Sequence, residues 1–367
     1  KTLTGKPDLV AYVATNDGYL HAFDTQTGEE LFAFIPQELL TNLSSVMENG
    51  SSNKTYGLDG SVVAWIYDKD KDGTIDAAAG DHTYLYFGMR RGGRNIYSLD
   101  VTDKSNPELR WVIKGGTGGY TEMGYTCSTI NVEKIKDGDT EKTVLIFGGG
   151  YDAAQDASTV RTADGVGRTV YIADADTGQR LWTAGKDAAT PMTNMEYSIP
   201  ARIKPLDTTG DGYINRLYAA DMGGQIFRFD INNANGLALS SSIVGGRIAD
   251  LAGAAAEDNR RFYYPPDVAL IDAPEGRYNS VVIGSGYRAH PLNEVIHDRI
   301  YMIKDKNTGL ITSAATYTSL TEANLEDVTD NLAGGDGVDD DAKKAELALI
   351  QSKDGWYIDL DNSGTWI

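Results

Sequence analysis

One recurring unit constrains the fold of this chain more than any other feature. It is an apolar or aromatic strand, an Asp, a polar turn often containing Thr-Gly, and a second strand. It appears as YLHAFDTQTGEELFAFI, NIYSLDVTDKSNPELRWVI, TVYIADADTGQRLW, QIFRFDINN and RIYMIKDKNTGLI. The anchors Asp24, Asp100, Asp174, Asp230 and Asp305 lie 76, 74, 56 and 75 residues apart. Each anchor follows another β-rich run, such as TYLYFGMRRGG or RLYAADMGG. Strand, glycine turn, strand, Asp turn, strand amounts to about one four-stranded blade per interval. Short antiparallel blades around an axis leave only short, protected edges. The expected fold is therefore all-β: a modified β-propeller of about six to seven blades, with a few short helical insertions. Five units are clear, and GWYIDL (Gly355–Leu360) reads as the start of another, left incomplete where the chain ends at Ile367. The intervals exceed the ~40–50 residues of compact blades, so insertions are expected.

Composition agrees with many short strands joined by tight turns, since Gly makes up 41 of 367 residues against a usual ~7%. Two inserts read as helical. Pro36 before QELLTNLSSV suits a first helical turn, and DDDAKKAELALIQ places acids ahead of lysines, as the helix dipole prefers. The formal charge of −20 argues against nucleic acid, because few cations are available to displace phosphate counterions. It favours binding of cations instead. No stretch reaches the ~20 apolar residues of a transmembrane helix. Lys1–Val10 lacks a signal-peptide pattern and starts at the edge of a strand, as a domain cut from a longer secreted precursor would. The whole of 1–367 reads as one propeller domain. Cys127 is the only cysteine and is expected to fill a strand interior.

The sharpest chemical signal is Asp68-Lys69-Asp70-Lys71-Asp72-Gly73-Thr74-Ile75-Asp76, which reads D-x-D-x-D-G-x-x-D. That is the opening of an EF-hand-type calcium loop. Oxygens of Asp68, Asp70 and Asp72 would converge on one cation, Gly73 would allow the sharp turn, the Thr74 carbonyl would add a ligand, and Asp76 would close the shell. Position twelve is Ala79 rather than a bidentate Glu, and the flanks read as strands. Four carboxylates within nine residues repel one another unless a cation neutralises them. A second copy, Asp207–Asn215, offers Asp207, Thr209, Asp211, the Tyr213 carbonyl and Asn215, and its two carboxylates predict weaker binding. Asp336–Asp341 reads as a helix N-terminus and Asp359–Gly364 as a hairpin turn. His290 and His297 share a loop with Glu294 and Asp298, which reads as a hydrogen-bonded surface loop rather than a metal site. The glycines of 115–119 and 148–150 read as propeller turns rather than phosphate cradles.

Several segments, in order from about Val10 to Leu360, resemble one family: the C-terminal domain of the PilC/PilY type IV pilus tip-associated proteins. They include VATNDGYLHAFDTQTGEELFAFIP, RRGGRNIYSLDVT, MGYTCSTINV, LDTTGDGYINRLYAADMGGQIFRFDI and VVIGSGYRAHPLN. The resemblance implies a calcium-binding propeller outside the cell, at the pilus tip or cell surface of a Gram-negative bacterium. It implies a role in pilus assembly against retraction, in twitching and in adhesion. Partners would be minor pilins, the pilus tip complex, and a host or abiotic surface. The family's calcium loop corresponds by context to Asp207–Asn215, where Thr209 and Asn215 depart from the usual ligands. YIADADTGQRLW is also similar to repeats of pyrroloquinoline quinone dehydrogenases, although Phe32 stands in place of the repeat Trp in the first unit. An outer-membrane assembly scaffold with the same fold is a further alternative. Neither displaces the reading as a non-enzymatic pilus factor.

Overall fold

A computed structural model describes residues 9–48, 54–186, 188–233 and 236–360. The strands form five sheets in chain order. The first holds β1 (Val10–Ala14), β2 (Leu20–Asp24) and β3 (Glu30–Phe34). The second holds β4 (Val62–Tyr67), β5 (His82–Gly88), β6 (Ile96–Asp100) and β7 (Glu108–Ile113). The third runs from β8 (Asn131–Asp137) through β9 (Thr140–Gly148), β10 (Val170–Asp174) and β11 (Arg180–Gly185) to the short parallel β12 (Thr190–Pro191). The fourth holds β13 (Lys204–Leu206), β14 (Arg216–Ala220), β15 (Gln225–Ile231) and β16 (Ile243–Asp250). The fifth is β17 (Asp267–Ala273), β18 (Gly276–Gly284), β19 (Arg299–Asp305), β20 (Glu326–Asp327) and β21 (Gly355–Asp359), with β21 lying between β19 and β20.

Alternation within the middle strands explains how these sheets stack. Leu85 and Phe87 on β5 pack toward the first sheet, whereas Tyr86 between them packs toward the third. Leu145 and Phe147 on β9 face the second sheet, and Val144 and Ile146 face the fourth. On β14, Leu217 and Ala219 face the third sheet, and Tyr218 and Ala220 the fifth. Period-two side chains that are apolar on both faces require a sheet covered on both sides. Four clusters thus fill the four interfaces between successive sheets, with Trp182 meeting Phe229 edge-on at 5.5 Å between the third and fourth. Fully burying each Val, Leu, Ile or Phe among them contributes about 1.5–3 kcal/mol.

All five repeat anchors fall in the penultimate position of a four-stranded pattern. In the turns after β2 and β10 the Asp side chain itself organises the chain. Asp24 Oδ1 accepts from the N–H of Gln26 and Thr27, and Asp174 Oδ1 from those of Asp176 and Thr177. Among the described residues the first sheet holds only β1–β3, and Asp24 ends its middle strand.

Four expectations need correction. The described residues form five sheets rather than six to seven blades, and Gly355–Asp359 opens no new one. It is the fourth strand of the fifth sheet, antiparallel to β19. The expected strand at Gly309–Ile311 is absent because buried guanidiniums hold the preceding turn. Arg228 donates to the carbonyls of Asn307 and Gly309, and Arg216 to those of Thr308 and Gly309. That leaves the outer edge of β19 open for β21, some fifty residues later. Cys127, likewise, lies in irregular chain before β8 rather than inside a strand.

The helical inserts form. Gln37–Asn42 makes a 3₁₀ turn leading into α1 (Leu43–Glu48). A short α2 (Leu239–Ser242) precedes β16, and α3 (Asp340–Ser352) is capped by the Asp339 carboxylate on the N–H of Asp341 and Ala342. No helix among the described residues is long and apolar enough to cross a membrane. Most of the expected Asp359–Gly364 turn lies outside the described residues. Gly148–Gly150 are close-approach positions rather than turns. Gly150 has φ +103°, and a Cβ there would meet the Tyr125 carbonyl at 2.2 Å. Gly115, in the other stretch, is also crowded, by the Arg94 carbonyl at 2.3 Å.

Candidate functional site

The acidic loop Asp68–Asp76 is part of the hairpin connection between β4 and β5, whose ladder closes at Tyr67 and His82. Asp68 follows one strand and Asp81 precedes the other, so the hairpin itself brings them face to face. Carboxylate oxygens of Asp68, Asp70 and Asp81 all lie within 4.8 Å of one another. Among the described residues this is the one group of three or more such side chains placed to hold a metal ion. The histidine-bearing loop does not assemble one. His290 Nε2 meets the Asp156 carbonyl and Asp298 accepts from Ser285 Oγ.

Local turn chemistry sets the geometry. Asp68 accepts from the N–H of Lys71 at 2.6 Å and of Gly73 at 2.8 Å. Asp70 accepts from Asp72 N–H at 3.3 Å, and Asp72 from Thr74 N–H at 2.7 Å. Lys71 and Gly73 both adopt left-handed backbone, with φ of 61° and 85°. Asp76 Oδ1 takes the N–H of Ala78 and caps a single 3₁₀ turn, Ala77–Ala79. Asp72 and Asp76 therefore stand outside the convergent trio, and Asp81 stands where Asp76 was expected.

Asp81 is the residue that the nine-residue motif misses. It is buried, and its two oxygens accept from Lys69 N–H and Asp76 N–H, both at 2.9 Å. These donors stabilise the charged form and hold its carboxyl below the usual value of 3.8. The available signal was its place beside β5, directly across the hairpin from Asp68. The strand ends carrying the loop are braced by ring contacts: His82 stacks on Tyr84 at 4.0 Å and meets Trp65 edge-on at 4.6 Å.

Asp207–Asn215 occupies the matching hairpin two sheets on, between β13 and β14. Its backbone repeats the first loop. Asp207 accepts from Gly210 N–H and Gly212 N–H, both at 2.7 Å, and Asp211 from Tyr213 N–H at 3.1 Å. Left-handed φ values of 74° and 87° recur at its fourth and sixth positions, Gly210 and Gly212. Partial desolvation pushes the Asp207 carboxyl up, but these N–H groups and Thr209 outweigh it and leave it lowered. Asn215 Oδ1 accepts from Thr208 N–H at 3.0 Å, the bond that Asp81 makes to Lys69 in the first loop. Asn215 is thus the counterpart of Asp81, not of Asp76. Its Nδ2 donates to Thr209 Oγ1 at 3.1 Å, so two expected ligands are bonded to each other. Tyr213 turns outward, where its hydroxyl donates to Glu141 at 2.8 Å. With only Asp207 and Asp211 as acids, this donor set fits a dication poorly, whereas the first loop fits it well.

Five largely antiparallel sheets in chain order, packed face to face through four apolar clusters, define a β-propeller domain. The chain belongs to the PilY1 β-propeller family, whose domain model matches residues 4–248. The type IV pilus biogenesis factor PilY1 of Pseudomonas aeruginosa PAO1 is 32% identical over 225 residues, covering 60% of this chain and 17% of that protein. A PilY1 homolog of Xylella fastidiosa is 27% identical over 364 residues, covering 95% of this chain and 22% of its own length. The chain thus spans less than a quarter of these relatives. The crystal structure of the P. aeruginosa PilY1 C-terminal domain superposes with a TM-score of 0.64 at 24% identity, over 96% of this chain and 70% of that one.

Proposed function

We propose that this chain is the calcium-binding propeller of a type IV pilus biogenesis factor, acting at the pilus tip and cell surface to favour assembly over retraction. Membership of the PilY1 family, and relatives named as biogenesis factors, support the pilus role and a reading as an assembly domain rather than an enzyme. Minor pilins and the tip complex would be its partners. Host or abiotic surfaces would be its targets in adhesion and twitching.

The observation that carries the calcium reading is the convergence of Asp68, Asp70 and Asp81 on a hairpin built with left-handed fourth and sixth positions. Calcium takes six to eight oxygens at about 2.3–2.6 Å, and clustered carboxylates meet that need while a dication relieves their repulsion. The Asp207–Asn215 hairpin is then a degenerate copy in which Asn215 keeps the cross-strand brace but contributes no charge. Free calcium at 100 times its dissociation constant would stabilise the fold by about 2.7 kcal/mol.

The test is a calorimetric calcium titration of the chelator-stripped domain, with magnesium as control. One site is expected, lost in Asp81→Asn and Asp70→Asn and retained in Asp211→Asn. Two sites of unequal affinity would restore Asp207–Asn215 as a ligand loop, and no binding would remove calcium from the model. In cells, Asp81→Asn in the full-length protein should lower surface piliation. Piliation should return when the retraction motor is deleted; failure to return would overturn the anti-retraction role.

A further inference from the structure

The first strands β4, β8, β13 and β17 share a polarity. The acidic hairpins leave their C-terminal ends, and at the other end their incoming segments meet around a cavity of about 490 Å³. Asp59, Cys127, Pro200 and Tyr263 arrive on the segments preceding these four strands, while Arg90, Arg91 and Arg288 come from connections between second and third strands. Paired backbone bonds between Tyr125 and Tyr151, and the Gly150 N–H to the Ile199 carbonyl, knit that rim.

Its charge opposes that of the whole chain. Lys54, Arg90, Arg91 and Arg288 line it against two carboxylates, Asp59 and Asp156, in a protein of net charge −20. Arg91 and Asp156 neutralise each other through a two-pronged contact, and Tyr151 also donates to Asp156 at 2.6 Å. Arg91 is further fixed between the rings of Tyr56 and Tyr151, at 5.3 and 5.2 Å. Arg90 sits 3.6 Å from Asp59, with a left-handed φ of 48° that is costly for a side chain without a local reason. Lys54 and Arg288 are exposed and have no carboxylate partner among the described residues; each lies only over a tyrosine ring. Lys54 and Arg288 without carboxylate partners, in a concavity of small-molecule size also lined by Tyr56, Tyr151 and Tyr263, are complementary to an anion carried on a flat or ring-shaped body.

We propose that this cavity binds a small ligand bearing a carboxylate on a ring, its carboxylate held by Lys54, Arg90 and Arg288 and its ring lying beside Tyr263. An acidic sugar and an aromatic acid share that chemistry. The site is separate from the calcium hairpin, which lies beyond the far end of β4, a strand about 20 Å long.

Cys127 supplies a local reporter, because it lines the cavity and is the only cysteine of the chain. The experiment follows its modification by methyl methanethiosulfonate, read by intact mass, with D-glucuronate, isophthalate or sulfate added. At least one ring carboxylate should slow labelling saturably by fivefold or more. Protection by glucuronate alone would identify an acidic sugar, and by isophthalate alone an aromatic acid. Arg288→Gln and Lys54→Gln, both at exposed positions, should each weaken protection about tenfold without altering the circular dichroism spectrum. Absence of protection by either acid, equal protection by sulfate, or protection unchanged in both variants would overturn the proposal.

Discussion

Asp230 and Asp174 hold the same place in successive repeats, yet the structure gives them different work. Asp174 closes an exposed turn by accepting the N–H of Asp176 and Thr177, groups that water can satisfy when the side chain is removed. Asp230 is fully buried. It accepts from Arg228 Nε and Nη2, both at 2.7 Å, from Arg216 Nε at 3.1 Å and from the Tyr317 hydroxyl at 2.8 Å. Asp305 completes the cluster, 2.9 Å from Arg228, so two guanidiniums face two carboxylates with little access to water. Removing one anion from such a group leaves an uncompensated buried cation and costs about 3–5 kcal/mol. Asp174 makes its turn bonds, including one from the Thr177 hydroxyl, where water can replace the carboxylate, so losing them together costs about 1 kcal/mol, as for an exposed Asp cap. Asp230→Ala should therefore lower the urea midpoint several-fold more than Asp174→Ala, at unchanged m-value. A whole domain is stable by only about 5–15 kcal/mol, so the difference is readily measured. Equal losses in the two variants would refute the assignment of Asp230 to a buried ionic cluster.

Three further outcomes follow from the geometry. Lys71→Gly should stabilise the calcium-free domain by up to ~1 kcal/mol in urea unfolding, because its φ of 61° suits glycine, as Gly210 shows at the matching position. The Asp81 carboxyl is held below 3.8, so its contribution is complete above that unfolded value and is lost as pH falls through the lower folded one. Stability measured between about pH 5 and pH 2 should show an acid limb that Asp81→Asn makes shallower. Trp182→Ala, which empties the interface between the third and fourth sheets, should cost about 3–5 kcal/mol by thermal or urea unfolding, with little effect on calcium affinity at the β4–β5 hairpin.

Much of this molecule was legible as sequence because the relevant physics is local. Alternating apolar residues select strands, Asp-x-x-Thr-Gly selects a turn whose first side chain binds the following N–H groups, and Asp339 before an acidic, alanine-rich run selects a helix start. The spacing of Asp68, Asp70, Asp72 and Gly73 likewise specified a tight acidic turn, since every bond within it spans five residues or fewer.

Contacts made across the fold were not legible in this way. Asp81 joins Asp68 and Asp70 because hairpin register, not motif spacing, sets it opposite them. Asn215 corresponds to Asp81 because both accept the same N–H at the second loop position. The fourth strand of the fifth sheet comes from Gly355–Asp359 because Arg216 and Arg228 hold the nearer candidate turn away from the ladder. The basic cavity is assembled from several separate segments whose charges are diluted in an acidic chain. Sequence by itself determined the elements and their turns, whose partners lie within a few residues. Tertiary structure alone decided which distant side chains meet, because that depends on how the sheets stack around a common axis.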